Sequence, residues 1–142
     1  MTMEIRVRAC LAVLHQGRLL LVPHYQTDAG SVQWNVPGGR VEFGEGVEST
    51  AVREFAEETG LRAQVAGLLM VSEVIQLAKP WHSITITFTG RLLDGEIKPE
   101  IHPLYGLKAP QWFTAEMVQQ VEYHPKPVVD RLLSMGFTEA IG

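Results

Sequence analysis

The chain has 142 residues, 46% of them hydrophobic and 20% charged, with a formal net charge of −4. This length supports one domain with its own core, the composition is that of a globular chain, and the negative balance disfavours a duplex nucleic acid as partner. The single Cys10 excludes an internal disulfide and a thiolate zinc cluster, and with no bilayer-length apolar run and no visible signal peptide a cytoplasmic, non-membrane setting is expected.

Ile5 to Leu14 is rich in β-formers and predicts a strand, with Cys10 inside it as a core residue. His15-Gln16-Gly17-Arg18 reads as a turn. Leu19-Leu20-Leu21-Val22 is short and apolar enough for a buried strand that Pro23 ends. His24 to Gln33 holds Asp28, Gly30 and Ser31 and is read as a surface loop. Trp34-Asn35-Val36-Pro37-Gly38-Gly39 follows. Gly38-Gly39 is not a P-loop, since no Gly-Lys-Ser/Thr comes after it.

Val47, Ala51 and Phe55 recur at i, i+4, i+8, which places them on one inward helical face. Glu54, Glu57 and Glu58 recur at i, i+3, i+4, so their carboxylates converge elsewhere on the same helix. Three like charges that close raise each other's pKa unless a cation lies among them, and hard oxygen ligands suit Mg2+ or Mn2+. A solvated acidic face is the simpler reading of such a triplet taken alone. Gly60 fits the helix C-cap.

Arg62 to Ile75 predicts a strand, with a helical alternative around Leu68-Leu69-Met70, and Gln76 to His82 a loop. Ser83 to Thr89 alternates strictly, and is read as a strand burying Ile84, Ile86 and Phe88 and exposing its Ser and Thr residues. Asp94-Gly95 is a hairpin signal. Pro99, Pro103, Gly106 and Pro110 mark a long irregular connection. Gln111-Trp112-Phe113 predicts a short strand, Thr114 the N-cap of a helix ending near Val121, and Pro127 to Gly136 a last helix. The five histidines lack metal-ligand spacing and are read as surface or loop residues. Strands, helix, strands, helices give α+β or a layered α/β sandwich.

Gly39, Glu45, Arg53-Glu54, Glu57-Glu58 and Gly60-Leu61 stand in the register G-x5-E-x7-R-E-U-x-E-E-x-G-U, where U is a bulky aliphatic residue. This resembles the Nudix box at every fixed position, with Phe55 a soft departure at the first U. The preceding Trp34-to-Gly39 run is similar to the family's approach to its helix. The resemblance implies a single domain over residues 3–140, box 39–61, folded as an α/β/α sandwich around a mixed sheet. It also implies metal-dependent hydrolysis of a phosphoanhydride in a nucleoside diphosphate derivative, with a nucleoside triphosphate or a nucleotide sugar both open. The alternative class is a binding protein on the same scaffold, which the intact box glutamates disfavour.

By the same resemblance, Glu57 and Glu58 are the principal ligands of Mg2+ or Mn2+, and Glu54 is a further ligand or the base. The Gly39 carbonyl completes the sphere, Arg53 orients the glutamates, and Glu45 pairs with basic groups nearby rather than binding the metal. Arg40, Tyr25 and Trp34 are candidate substrate contacts. Relatives often carry a Glu just before the late Trp. Leu107-Lys108-Ala109-Pro110 has no carboxylate, so Glu54 is expected to be the base, with Glu96 and Glu100 the nearest other acids and Glu100 read as a solvated loop residue. Subclass signatures after the box give no match: Pro80 falls too late, and Gln76-Leu77-Ala78 holds no Tyr. Family habit and the apolar Val128-Val129 and Leu132-Leu133 predict a homodimer.

Overall fold

A computed structural model describes residues 3–25, 31–103 and 106–138. Its first strand, β1 (Ile5–His15), supports the rest of the sheet. A tight turn at Gln16-Gly17, both at positive φ (52° and 72°), reverses the chain into β2 (Arg18–Tyr25). Two consecutive left-handed residues give the twist that a two-residue hairpin needs. β2 pairs with β3 (Val32–Asn35), and β4 (Gly38–Arg40) returns to pair with β1 at Arg8, Ala9 and Cys10. After helix α1 (Val47–Thr59) come the long strands β5 (Leu61–Gln76) and β6 (Trp81–Gly95), antiparallel to each other. β6 also runs parallel to β1 from Ile5↔His82 to Val13↔Gly90. A small hairpin, β7 (Glu100–His102) and β8 (Gly106–Lys108), precedes β9 (Gln111–Phe113), which pairs with β2. Helix α2 (Ala115–Val118), β10 (Glu122–His124) and helix α3 (Lys126–Ser134) complete the order. The main sheet reads β10-β3-β2-β1-β6-β5.

Each face of this mixed sheet carries a core. Ala9, Leu11 and Val13 of β1 pack with Phe88 against Ala51 and Phe55 of α1. The alternate residues Cys10, Ala12 and Leu14 pack with Leu19 and Leu21 against Val128, Val129 and Leu132 of α3. Phe55 is fully buried, and a side chain of that size contributes about 1.5–3 kcal/mol by leaving water. Of the four residues on which self-association is expected, α3 fully buries Val128, Val129 and Leu132 within the chain and leaves Leu133 half-buried.

Several expectations are corrected. Pro23 does not end β2, which runs on to Tyr25. The β9 ladder stops at Leu21, so a proline two residues later removes no hydrogen bond on that side. His24, Tyr25, Val32 and Gln33 are strand residues, while 26–30 of the expected loop lie outside the described residues. Asp94-Gly95 is the end of β6, with Gly95 opposite Leu61. The irregular connection contains the β7–β8 hairpin, and α2 stops at Val118. Leu68-Leu69-Met70 is strand, bent by register shifts.

The largest correction is in β6. Ser83, Thr85, Thr87 and Thr89 are buried, and Ile84 and Ile86 only half-buried beside buried Phe88. The alternation was read correctly, but the hydroxyl face of this central strand is covered. The hydroxyl face lies on the side of Arg8 and Cys10, through Arg8↔Thr85 and Cys10↔Thr87.

Gly60 closes α1 at φ 81°, and a Cβ there would meet the Glu96 carbonyl and come 2.7 Å from Lys98 Cβ. Gly44 has a similar φ of 86° with nothing within 4 Å. Gly44→Ala is expected to cost about 1 kcal/mol of left-handed strain alone, and Gly60→Ala clearly more than about 1–2 kcal/mol. Equal midpoints for the two variants in urea unfolding would show that the packing at Gly60 is slack.

Candidate active site

The acidic face of α1 is apposed to the β4 backbone. The Gly38 N–H donates to Glu58 Oε2 at 2.8 Å. At Gly39 a Cβ would lie 2.6 Å from Glu54 Oε1 and 2.7 Å from Oε2, so the Glu54 carboxylate occupies the space a side chain would need. At Gly38 a Cβ would meet Cys10 Sγ and come 2.5 Å from the Ala9 carbonyl. A side chain at Gly38 would collide with the backbone of β1, and one at Gly39 would displace the Glu54 carboxylate.

Arg53 collects three of the acids. Its Nε donates to Glu45 Oε2 at 2.7 Å, and its guanidinium reaches Glu45 Oε1, Glu54 Oε1 at 3.1 Å and Glu57 Oε2 at 3.1 Å. Thr50 Oγ1 also donates to Glu45, at 2.7 Å. The Arg53 hydrogen bonds, then that of Thr50, hold the Glu45 carboxyl down at about 2. The Arg53 guanidinium is pushed up in turn, by Glu45 first and Glu57 next.

Glu58 behaves oppositely. The residue is exposed, yet its Oε2 is held against β4 by the Gly38 N–H. Lost hydration pushes its pKa up to about 7; the Gly38 N–H opposes this, Glu54 adds to it, and the charges of Arg8 and Lys108 oppose it. Cys10 lies beneath, its thiol raised to about 12 chiefly by burial. It is protonated and chemically quiet.

Among the described residues no three acids are gathered into a ready-made metal cage, because Arg53 occupies Glu54 and Glu57 while Glu58 leans on Gly38. The donor set nonetheless fits a hard divalent cation: carboxylate oxygens from one helix face, beside a backbone with its side chains removed. Glu57 is exposed, and could exchange Arg53 for an ion without disturbing the core.

The candidate substrate contacts have partners within the chain. Trp34 packs edge-on to Phe113, with ring centroids 4.9 Å apart, against the α3-side core. Arg40 is paired with Glu4 at 3.3 Å. The Tyr25 hydroxyl donates to the Leu107 carbonyl at 3.1 Å. Glu100, expected as a solvated loop residue, is exposed, but it stands in β7 and lines a small hollow with Glu58, Lys98 and Lys108. The Lys98 N–H donates to the Thr59 carbonyl at 2.9 Å. That bond ties the segment after β6 to the end of α1 and so carries Lys98 and Glu100 toward Glu58. Two lysines within a proline-rich segment were the only sign in the sequence.

A family model described as NUDIX domain matches residues 4–132. The chain is 30% identical over 132 residues to a NAD-capped RNA hydrolase NudC of Pectobacterium carotovorum, covering 90% of this chain and 46% of that protein. It is 44% identical over 63 residues to an ADP-ribose pyrophosphatase of Methanocaldococcus jannaschii, covering 44% and 37%. Among solved structures, a MutT NUDIX hydrolase from Burkholderia pseudomallei superposes with a TM-score of 0.72 at 29% identity, over 89% of this chain and 95% of that one. The chain spans less than half the length of these two curated relatives. No helix among the described residues is long and apolar enough to cross a membrane.

The raised Glu58 pKa has a definite sign. Between the ordinary 4.5 and about 7 the folded protein holds a proton that the unfolded chain releases, so metal-free stability falls as pH rises through that window. Glu45 acts in reverse: its contribution is present above about 4.5 and lost as pH falls toward about 2. In the presence of a chelator, Glu58→Gln should melt near wild type at pH 4.5 and above it at pH 8. A difference unchanged between those two pH values would contradict the crowding of this carboxyl.

Proposed function

Since the chain belongs to the NUDIX domain family, we propose that it is a divalent-metal-dependent pyrophosphohydrolase, cleaving a phosphoanhydride bond in a nucleoside triphosphate or nucleotide sugar. The observation that carries this reading is the Glu54 carboxylate standing where a Gly39 side chain would be, with Glu58 bonded to Gly38 beside it. That arrangement gathers hard oxygen donors from one helix face against one strand.

Glu57 and Glu58, with Glu54 and the Gly39 carbonyl, would hold Mg2+ or Mn2+. A divalent cation in such a site neutralises phosphoryl oxygens and acidifies a water. Arg53 keeps Glu54 and Glu57 oriented, and Glu45 in turn holds Arg53. Glu54 is the proposed base, taking the proton of the attacking water as the P–O bond of the anhydride breaks. Lys98 and Lys108, beside Glu58, stand ready to neutralise the departing phosphate. Glu100 shares that hollow and is the competing candidate for the base.

Incubation with a panel of nucleoside triphosphates and nucleotide sugars in Mg2+ should release phosphate or nucleoside monophosphate. Silence across the panel at several pH values would refute the reading. Within an active panel, Glu57→Gln and Glu58→Gln should each lower kcat strongly. At saturating Mg2+, Glu54→Gln should cost about 10²–10⁴-fold and Glu100→Gln less than about tenfold. A larger loss from Glu100→Gln would transfer the base to the proline-rich segment.

A further inference from the structure

β5 and β6 are 16 and 15 residues long, and α1 only 13. At about 3.3 Å per strand residue and about 1.5 Å per helix residue, strands of about 50 Å lie under a helix of about 20 Å. α1 therefore cannot cover its side of the sheet from end to end. On β6 its core holds buried Phe88, and on β5 Leu61 and Ala63. The register shows what continues beyond. Ile5, His82 and Ile75 form one row across β1, β6 and β5. Val7, Ile84 and Glu73 form the next, and Ala9, Ile86 and Val71 a third. Leu68 stands opposite Phe88. Residues directly opposite share a face, as do alternate residues along a strand, so these rows lie on the side that α1 covers at Phe88.

Ile5, Leu68, Val71 and Ile75 are 57%, 63%, 56% and 53% exposed. None of the four belongs to either core. The solvated face of an antiparallel pair is expected to turn polar at such positions, and here it stays aliphatic. The charged pair within the rows is closed on itself, with His82 Nε2 and Glu73 Oε2 2.8 Å apart. Phe43 borders the same face. It is fully exposed in the connection from β4 to α1, which leaves the sheet where the Val41 N–H donates to the Val7 carbonyl at 2.9 Å. Val41 itself packs against the α1-side core.

We propose that this bare end of the sheet is the contact between two copies of the chain, packed face to face across a twofold axis. Its size fits. Three strands about 4.8 Å apart, over about 20 Å of their length, give a patch on the order of 300 Å². Phe43 adds about 150–250 Å². That is the apolar centre of an interface drawing about 800 Å² from each partner. Its charge fits as well. A face built for a basic or acidic partner would carry the opposite sign, whereas a twofold contact sets a patch against itself and needs it neutral. Glu73 and His82 meet that condition by answering each other. Two such faces would lie about 10 Å apart with their side chains interdigitated. The contact thus falls on β1, β6 and β5, not on α3, whose Val128, Val129 and Leu132 are buried within the chain.

The test is sedimentation velocity without nucleotide, so its outcome is separate from that of the hydrolysis panel. The wild type should sediment with twice the 15.8 kDa of the chain at about 10 μM and above. Ile5→Glu and Val71→Glu should each weaken the dimer about a hundredfold or more, because each places an unpaired charge in the contact. Ile5 lies two strands in from the β5 edge, so dissociation by Ile5→Glu distinguishes a face contact from edge-to-edge pairing of β5. Met117→Glu, at an exposed residue of α2, should remain dimeric. Circular dichroism checks that each variant is folded. If a glutamate variant is not, Ile5→Thr and Val71→Thr keep the β-branched shape and should weaken the dimer about tenfold. A wild type still monomeric at about 100 μM, a dimer unmoved by folded variants at Ile5 and Val71, equal dissociation by Met117→Glu, or assembly beyond a dimer would each overturn the proposal.

Discussion

The contact between a two-glycine strand and the carboxylate face of α1 is the constraint on which the site depends. Gly38 has no room for a Cβ because Cys10 and the Ala9 carbonyl of β1 fill it, and at Gly39 the Glu54 carboxylate takes the space a Cβ would need. β4 is in turn fixed by its ladder to β1, and α1 by burial of Ala51 and Phe55 against the other face of the same strand. One strand thus sets both partners. The distance from glycine backbone to glutamate is therefore determined by packing well away from the carboxylates themselves.

Charge is arranged with comparable economy. Arg53 serves three acids, so a helix carrying Glu54, Glu57 and Glu58 does not have to be held together against its own repulsion. Glu45 and Glu58 are pushed in opposite directions, the first by direct bonds from Arg53 and Thr50, the second by crowding against β4. Arg53 thereby stabilises the side of the helix facing Glu45 and leaves Glu58 undercompensated. Undercompensated negative charge is what a divalent cation would relieve. The lysines brought in by the segment pinned to Thr59 lie on that same side.

The central sheet separates two environments. Toward α1 its core is apolar, built from Ala9, Leu11, Val13 and Phe88, with the carboxylates of α1 confined to β4. On the opposite side the apolar region under α3 gives way to hydroxyls, amides and histidines around a cavity of about 330 Å³, with Arg8 at the boundary toward the acids. A buried stripe of Ser and Thr on β6 would be poor design for a core alone, since Thr87 Oγ1 finds no partner among the described residues. It is intelligible where the same strand faces a polar cavity one turn of the alternation away.

What depends on local spacing is legible in the sequence: the α1 helix and its Gly60 cap, the strand character of β1, β5, β6 and β9, and, through the box, the family; Glu54, Glu57 and Glu58 share that helix, but among the described residues they are not gathered into a metal cage. Each legible feature follows from a periodicity or a turn chemistry that acts within a few residues. Tertiary structure decided which faces are covered and which distant residues meet. Period-two alternation gives β6 two faces but cannot say which is enclosed, so the hydroxyl stripe was placed in solvent. Pro23 was read as a stop because its neighbour's ladder could not be seen to end at Leu21. His24, Asn35 and His124 carry no shared spacing; they meet only because β2, β3 and β10 pair, and strand pairing across nearly a hundred residues leaves no local mark on the residues it joins.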